Sequence, residues 1–539
     1  MKHTKNGMKT AIAQLCAVFL LAGCTGNFSE INWPNGGLTE EELNRDNNLH
    51  GSMIPAMEMK IVPQDDNGAF QHCESLLGDV CGRMLMSNAG GASNQKWSGD
   101  FSRFTYDGPQ WLDNPFSSTL SFYTNYVNVV QFTEKNRENI IIIYALARII
   151  RVATMHRLAD MYGPIPYSKI DPDNLDLYIP YDDDDEVYLT MLEELDEAIE
   201  DLNYCITNSL TTDIHNFDRI YEGDYTKWVK YANSLMLRLA VRISNKRSDL
   251  TAEYAKKALE GGVIESNSDN AYMRMVVGRM ATMTTKLYVM EHNYNDTFAC
   301  ADLTCYMNGY NDPRRPAYFK PVTVDDESIY LGLRAGTAAQ QTDIESKYSR
   351  PNVGEHDDYP LLTAAEVAFL RAECVLNGWT TESQTAEQFY NEGIRLSFSQ
   401  WSVAGADAYL ENDSNKPAAY NDPVSNENCS APSDITIKWT DSDNNDKKLQ
   451  RIITQKYIAL YPLGHEAWCD YRRTGYPKFL GFTGISNPGV PSEYDGRKVL
   501  SRLMFSTKEQ TANPENLAAA IGMLDGGDTF ATKLWWAKE

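Results

Sequence analysis

The stretch Ala365–Trp379 reads AEVAFLRAECVLNGW. Ala365, Phe369, Ala372, Leu376 and Trp379 recur at intervals of three or four, which places them on one face of a helix. Ala386–Trp401 follows after a short break and forms the second member of a pair. Small residues facing large ones across antiparallel helices are the mark of tetratricopeptide-like packing. Two further pairings lie upstream. Tyr225–Ser244 precedes Ala252–Glu260, which closes at Gly261-Gly262. Ile140 to Met161 is densely apolar, but Arg148, Arg151, His156 and Arg157 interrupt it, so it is a core helix with one polar stripe rather than a membrane span. Gly163-Pro164-Ile165-Pro166 ends that helix, and Asp182–Glu186 opens the next, which runs to about Asn203. The acidic residues complement the positive end of its dipole. Helical core is expected from near Pro115 onward. Asn267–Tyr359 and Ala404–Asp446 are rich in Asn, Asp, Gly and Tyr, with little helical period. The expected fold is mainly α, a tetratricopeptide-like helix-pair superhelix carrying long, irregular, loop-rich insertions. Such insertions commonly carry function.

The N-terminus has a basic start (Lys2, Lys5, Lys9), an apolar run from Ala11 to Leu21, and Leu21-Ala22-Gly23-Cys24. This is a secretory signal followed by a cysteine placed for acylation, as in a bacterial lipobox. The apolar run is shorter than the roughly 20 residues a spanning helix needs. Residues 1–23 are therefore expected to be a lipoprotein signal peptide. Residues 24–52 are expected to be a tether anchored through Cys24, and the remaining 53–539 are long enough for two or three domains.

The 539 residues carry a formal charge of −25, with 42% hydrophobic and 11% aromatic residues. That charge excludes nucleic acid, whose phosphates need Lys and Arg, and excludes a basic patch on anionic lipid. Of ten cysteines, eight remain after Cys16 and Cys24. Cys73/Cys81 and Cys300/Cys305 are close enough in sequence to bridge, but free, buried thiols are the preferred reading. There is no CxxC, no GxSxG, no HExxH, no P-loop and no GxGxxG before a helix. Asp441–Asp446 begins like a calcium loop but has no Gly at its sixth position and Ile452 at its twelfth. No metal, cofactor or catalytic constellation is expected, and His465 beside Glu466 reads as a helix-start residue.

Several segments together resemble the SusD/RagB outer-membrane lipoproteins. They are Ala153–Tyr167 (ATMHRLADMYGPIPY), Ala365–Trp379, Gln455–Pro477 (QKYIALYPLGHEAWCDYRRTGYP) and the ending Leu534-Trp535-Trp536. Asp312-Pro313-Arg314 and Gly393–Phe398 are further landmarks. The resemblance implies a single domain over 53–539, in a non-enzymatic protein of the cell outer membrane, lipid-anchored and facing the exterior. It would capture a nutrient, foremost an oligosaccharide, and deliver it to a SusC-like TonB-dependent barrel. Alternatives are peptide capture on the same architecture, a lipid-anchored glycoside hydrolase, or a helical scaffold without a small ligand. Thr25-Gly26-Asn27 separate Cys24 from the first acidic residue, Glu30, which weakens the signal for surface export.

Arg472, Arg473, Glu366 and Glu373 are expected to hold core polar contacts. Ligand residues do not transfer by motif in this family, so they are sought in two aromatic stretches. Trp97–Trp111 holds Trp97, Phe101, Phe104, Tyr106 and Trp111, the last expected to be packed. Tyr288–Tyr318 holds Tyr294, Tyr306 and Tyr310 beside Asn308 and Asn311. Trp97, Tyr294, Tyr306, Tyr310 and Asn311 are the candidate ligand residues: rings stack on sugar faces while amides bond hydroxyls. Each ring taken singly also reads as core.

Overall fold

Helix α1 (Gln110–Leu120) begins five residues before Pro115 and holds that proline inside it. The computed structural model describes residues 51–87, 110–170, 178–337, 341–481 and 499–538, with the side chains of 134–140 and 341 excepted. Helical core starts earlier than the sequence led us to expect. Met53–Glu58 packs against α2 (Tyr123–Tyr162), burying Ile54 and Met57. Asn67–Phe70 continues as a π-helical stretch, Gln71–Gly78, into Asp79–Cys81. These elements lack a long apolar period, which is why the sequence did not show them.

The expected pairs are present. α2 packs on α3 (Asp184–Thr207), and α4 (Tyr225–Arg242) on α5 (Ser248–Gly261). After α6 (Ala301–Gly309), α7 (Ala364–Asn377) packs on α8 (Ala386–Gln400). α9 (Asn445–Ala459), α10 (Gly464–Thr474) and α11 (Pro514–Met523) complete the set. Their ends follow from local chemistry. Asp224 caps α4 by accepting from Thr226 and Lys227 N–H, and Thr385 with Gln388 forms a capping box on α8. Gly378, at φ 71°, stops α7 in the left-handed conformation that glycine tolerates. Within the α7–α8 pair, Gly393 lies under Phe369, so a small residue does face a large one.

The 267–359 insertion is built partly of short antiparallel ladders. β1 (Leu85–Ser87) pairs with β3 (Thr297–Ala299), and β2 (Ala271–Met273) with β8 (Tyr359–Leu362). β4 (Phe319–Lys320) pairs with β7 (Arg350–Pro351), and β5 (Val322–Val324) with β6 (Glu327–Ile329). Residues 50–539 cluster as one compact unit. Cys24 and the tether before residue 51 lie outside the described residues. Among the described residues no helix is long and apolar enough to cross a membrane. The eight cysteines of the described residues are free thiols, seven of them buried.

A buried ion-pair network lies where α2, α4, α7 and α10 meet. Arg238 bonds Glu366 at 2.7 Å and Glu466 at 3.4 Å, while Arg242 bonds Glu466 at 2.6 Å and Asp160 at 2.5 Å. Arg473 clamps Glu373 with two contacts, of 2.5 and 2.8 Å, and Lys456 meets Asp470 at 2.8 Å. Arg472 lies 3.6 Å over the Trp468 ring and donates to the Asp160 and Ser501 carbonyls. Arg472, Arg473, Glu366 and Glu373 are thus core contacts, as expected. Buried charges persist only when paired, so these side chains hold the helices in one mutual arrangement.

Candidate functional site

Asp66 caps the helix that opens at Asn67 by accepting from Ala69 N–H at 2.7 Å. One turn later the backbone widens into the π form over Gln71–Gly78. A second π segment, Val289–Tyr294, is tied to this region at its C-terminal end. Asn67 Nδ2 reaches the Tyr294 hydroxyl at 3.4 Å, and Gln71 Nε2 donates to Asp296 at 2.7 Å. π turns are uncommon and recur at functional sites. Here two of them are joined by the Asn67–Tyr294 and Gln71–Asp296 bonds, and Asn295 at φ 56° turns the chain from the second into β3.

The rings at this junction are partly open. Tyr288 and His292 stack with centroids 4.8 Å apart and planes 21° from parallel, and His292 is exposed. Tyr294 is half-buried. His72 hydrogen-bonds the Gly68 carbonyl at 2.7 Å and meets the edge of Trp111 at 5.4 Å. Burial lowers the His72 pKa, which favours the neutral ring.

Both ends of the 88–109 segment reach this junction. The chain enters it from Ser87, the ladder partner of Thr297, and leaves it at α1, whose Trp111 packs on His72. Trp97 lies inside that segment, outside the described residues. Trp111 is buried at 2% exposure, as expected.

Two of the expected ligand rings need correction. Tyr306 and Tyr310 are 0% and 2% exposed, because α6 is a buried helix. Their hydroxyls donate to the Lys478 and Ile435 carbonyls at 2.8 and 3.0 Å, and their rings pack on each other at 6.0 Å. Gly309 lets the 416–418 backbone press against α6, since a Cβ there would lie 2.1 Å from the Lys416 carbonyl oxygen. Neither ring can offer a face to a sugar. Asn311 is exposed but sits at φ 49°, a left-handed turn position that Asn tolerates, next to the buried Asp312–Arg314 pair.

No sequence signal marks the π junction, because a π turn arises from an extra residue in a helical register and carries no composition of its own. The 67–72 helix entered no candidate list for that reason.

Other concave or ionisable places differ in character. A cavity of 490 Å3 opens between β6 and the 418–428 loop, with Asn308, Tyr330, Asn421 and Asn426 on its wall. One of 620 Å3 lies beside Asp183–Asp185, Lys533 and Trp535. His156, Asp160 and Glu466 lie close enough together to ligate a metal, as do Asp160, His465 and Cys469. Arg238 and Arg242 already neutralise their carboxylates. Although burial raises it, these two arginines hold Glu466 well below the usual carboxylate range. Burial and Arg157 lower His465 to about 3. Both groups belong to the core network.

The SusD-like family model, described as SusD and RagB outer membrane lipoprotein, matches residues 30–537. Solved structures agree over nearly their whole length. A SusD homolog from Bacteroides uniformis ATCC 8492 is 39% identical with a TM-score of 0.81, covering 91% of this chain and 99% of that one. A SusD homolog from Bacteroides thetaiotaomicron VPI-5482 is 33% identical with a TM-score of 0.82, again covering 91% and 99%. A chitin-binding SusD homolog from Flavobacterium johnsoniae is 32% identical with a TM-score of 0.81, covering 91% and 98%. No curated protein sequence matches the chain.

Proposed function

Because the chain belongs to the SusD-like family of outer-membrane lipoproteins, we propose that it captures an oligosaccharide at the π junction, with Tyr294 and Trp97 as stacking rings. The observation that carries this reading is the convergence of Asn67, His72, the Tyr288/His292 stack and Tyr294 with both ends of the segment holding Trp97. Partly open rings supply C–H contacts to pyranose faces, and neighbouring amides and imidazoles bond hydroxyls. Asn311 is kept as a peripheral hydroxyl partner on the same 288–318 stretch. The chitin-binding relative makes chito-oligosaccharides the first probe.

In this reading the protein binds and does not turn over its ligand, and it passes it to a SusC-like TonB-dependent barrel. Acylated Cys24 holds it on the outer face of the outer membrane. Replacing Cys24 by Ala should remove the mature chain from the membrane fraction or block its maturation, and a chain beginning after Cys24 supplies soluble protein for binding work.

The test is a glycan and peptide array on that soluble chain, followed by titration of the best ligand. Trp97→Ala and Tyr294→Ala should each weaken binding about tenfold or more, near 1.4 kcal/mol, with the melting temperature unchanged. Tyr310→Ala should instead destabilise the fold. Capture of peptides alone would replace the glycan by a peptide ligand. Release of shortened oligosaccharides would make the protein a hydrolase.

A further inference from the structure

A second, smaller cavity of 240 Å3 has no place in that reading. Five distant stretches close on it. Tyr272 comes from β2, Thr285 and Leu287 from the chain before the second π turn, and Asn352 to Pro360 from a loop and the start of β8. Gln400 and Trp401 come from the end of α8, and Tyr461 and Pro462 from the end of α9.

Its aromatic walls are fixed in advance. Trp401 packs on Tyr318 at 4.7 Å and on Tyr461 at 5.9 Å, and Tyr318 and Tyr461 stack at 4.5 Å. Tyr272 and Trp401 are themselves only half-buried. The loop opposite is clamped: Thr285 N–H donates to the Glu355 carbonyl at 2.9 Å, and His356 Nδ1 lies 2.9 Å from the Met283 carbonyl.

The polar groups are the informative part. Asp357 accepts from Gly354 N–H at 2.7 Å through Oδ2, and Asp358 accepts from Met275 N–H at 2.9 Å through Oδ1. Each bond fixes its carboxylate and leaves the other oxygen available. No Lys or Arg lines the cavity, and neither aspartate forms a salt bridge with a described residue. Arg274, whose charge reaches Asp358, is engaged with Glu222 at 3.1 Å. Partial burial raises the Asp358 pKa, opposed by the bond from Met275 N–H and by the Arg274 charge.

Two adjacent carboxylates exclude an anionic ligand. A neutral polyol could bond their oxygens but would leave their charge uncompensated. A protonated amine answers both conditions: it has only donors to offer, and its charge is attracted by the faces of Trp and Tyr rings. The volume is below the roughly 300–1,000 Å3 of drug-sized pockets, so the ligand is compact. We infer that this cavity takes a protonated amine of about amino-sugar size, between Asp357, Asp358 and the rings of Tyr272 and Trp401. The site is separate from the π junction and does not depend on what that junction binds.

The experiment titrates D-glucosamine, D-glucose and N-acetyl-D-glucosamine into the soluble chain beginning after Cys24, at a pH where the amine is protonated and both carboxylates are ionised. Calorimetry gives affinity, and tryptophan fluorescence follows the cavity wall. Glucosamine should bind at least tenfold tighter than either neutral sugar. The Asp357→Asn/Asp358→Asn double variant should lose that preference, and Trp401→Phe should weaken it. The two aspartates are exposed, so their variants keep the fold even where changes at Trp401 disturb it. Trp97→Ala should leave glucosamine binding unchanged, which separates this site from the oligosaccharide face. Equal affinity for glucose and glucosamine, absence of glucosamine binding, or binding that survives in the double variant would each overturn the inference.

Discussion

Arg473 and Glu373 meet through two contacts at 2% exposure each, and Asp470 adds a third at 3.1 Å. Removing one partner leaves the other charged and buried, which costs about 3–5 kcal/mol, whereas replacing both by apolar groups of similar size is often close to neutral. Glu373→Leu alone should therefore destabilise strongly in urea titrations, and Glu373→Leu with Arg473→Met should recover most of the loss. Additive losses would show that the pair is not a closed unit. His465 makes a second prediction with a definite sign. Its folded pKa is held to about 3 by burial and Arg157, against an ordinary value of 6.5. The unfolded chain therefore binds a proton between those values that the folded chain refuses, and stability falls as pH drops from about 6.5 towards 3. The slope from this one group approaches 1.4 kcal/mol per pH unit. Asp184, raised to about 7 by burial, titrates with the opposite sign, so the measurement is the difference between His465→Gln and the parent. That difference should shrink on acidification. At this scale the sequence was partly legible. The family landmarks that contain them placed Arg472, Arg473, Glu366 and Glu373 in the core, where a buried charge must be paired. Tyr306 and Tyr310 were illegible, because a tyrosine among asparagines looks the same whether it faces solvent or a buried helix.

The α7–α8 pair shows what an element-level pattern can and cannot reveal. A Cβ added at Gly393 would lie 2.8 Å from Phe369 Cζ, closer than side chains normally approach, so the ring or the helix must move. Overpacking of this kind costs about 1–3 kcal/mol. Gly393→Ala should lower the melting temperature, and Gly393→Ala with Phe369→Leu should regain part of it. If Gly393→Ala melts like the parent, the two helices are not packed as closely as this. The helix pairs were legible because a 3.6-residue period over fifteen or more residues is hard to produce otherwise. The ladders of the 267–359 insertion were not, since two to four residues are too few to show alternation. The π segments at Gln71–Gly78 and Val289–Tyr294 were illegible for a different reason. Nothing in composition distinguishes them from α-helix, yet they shape the junction on which the ligand reading rests.

Across the whole molecule, four of the family landmarks, scattered in sequence, meet around one network, while Asp312–Arg314 and Ser397 form a second buried cluster. The last of the four, Leu534-Trp535-Trp536, closes the network. Trp536 is fully buried, its indole N–H donates to the Tyr188 hydroxyl at 2.9 Å, and its carbonyl accepts from Asn245 at 3.0 Å. Arg242 and Arg472 lie 5.3 and 4.9 Å from its ring, and Trp535 N–H donates to Asp184 at 2.9 Å. The C-terminus thereby touches α3, α4 and α10, and two of the arginines it meets also bind α2. None of α2, α3, α4 or α10 can unfold without exposing buried polar or charged groups in the others. The chain should accordingly melt in one calorimetric transition, with the van't Hoff enthalpy close to the calorimetric one, despite a length at which several transitions are common. Trp536→Ala removes a core aromatic and should cost about 3–5 kcal/mol. It should move that single transition to lower temperature without splitting it. If α3 or α4 instead melted separately from the rest in the variant, the network would be a set of local contacts rather than the frame that holds the ligand face.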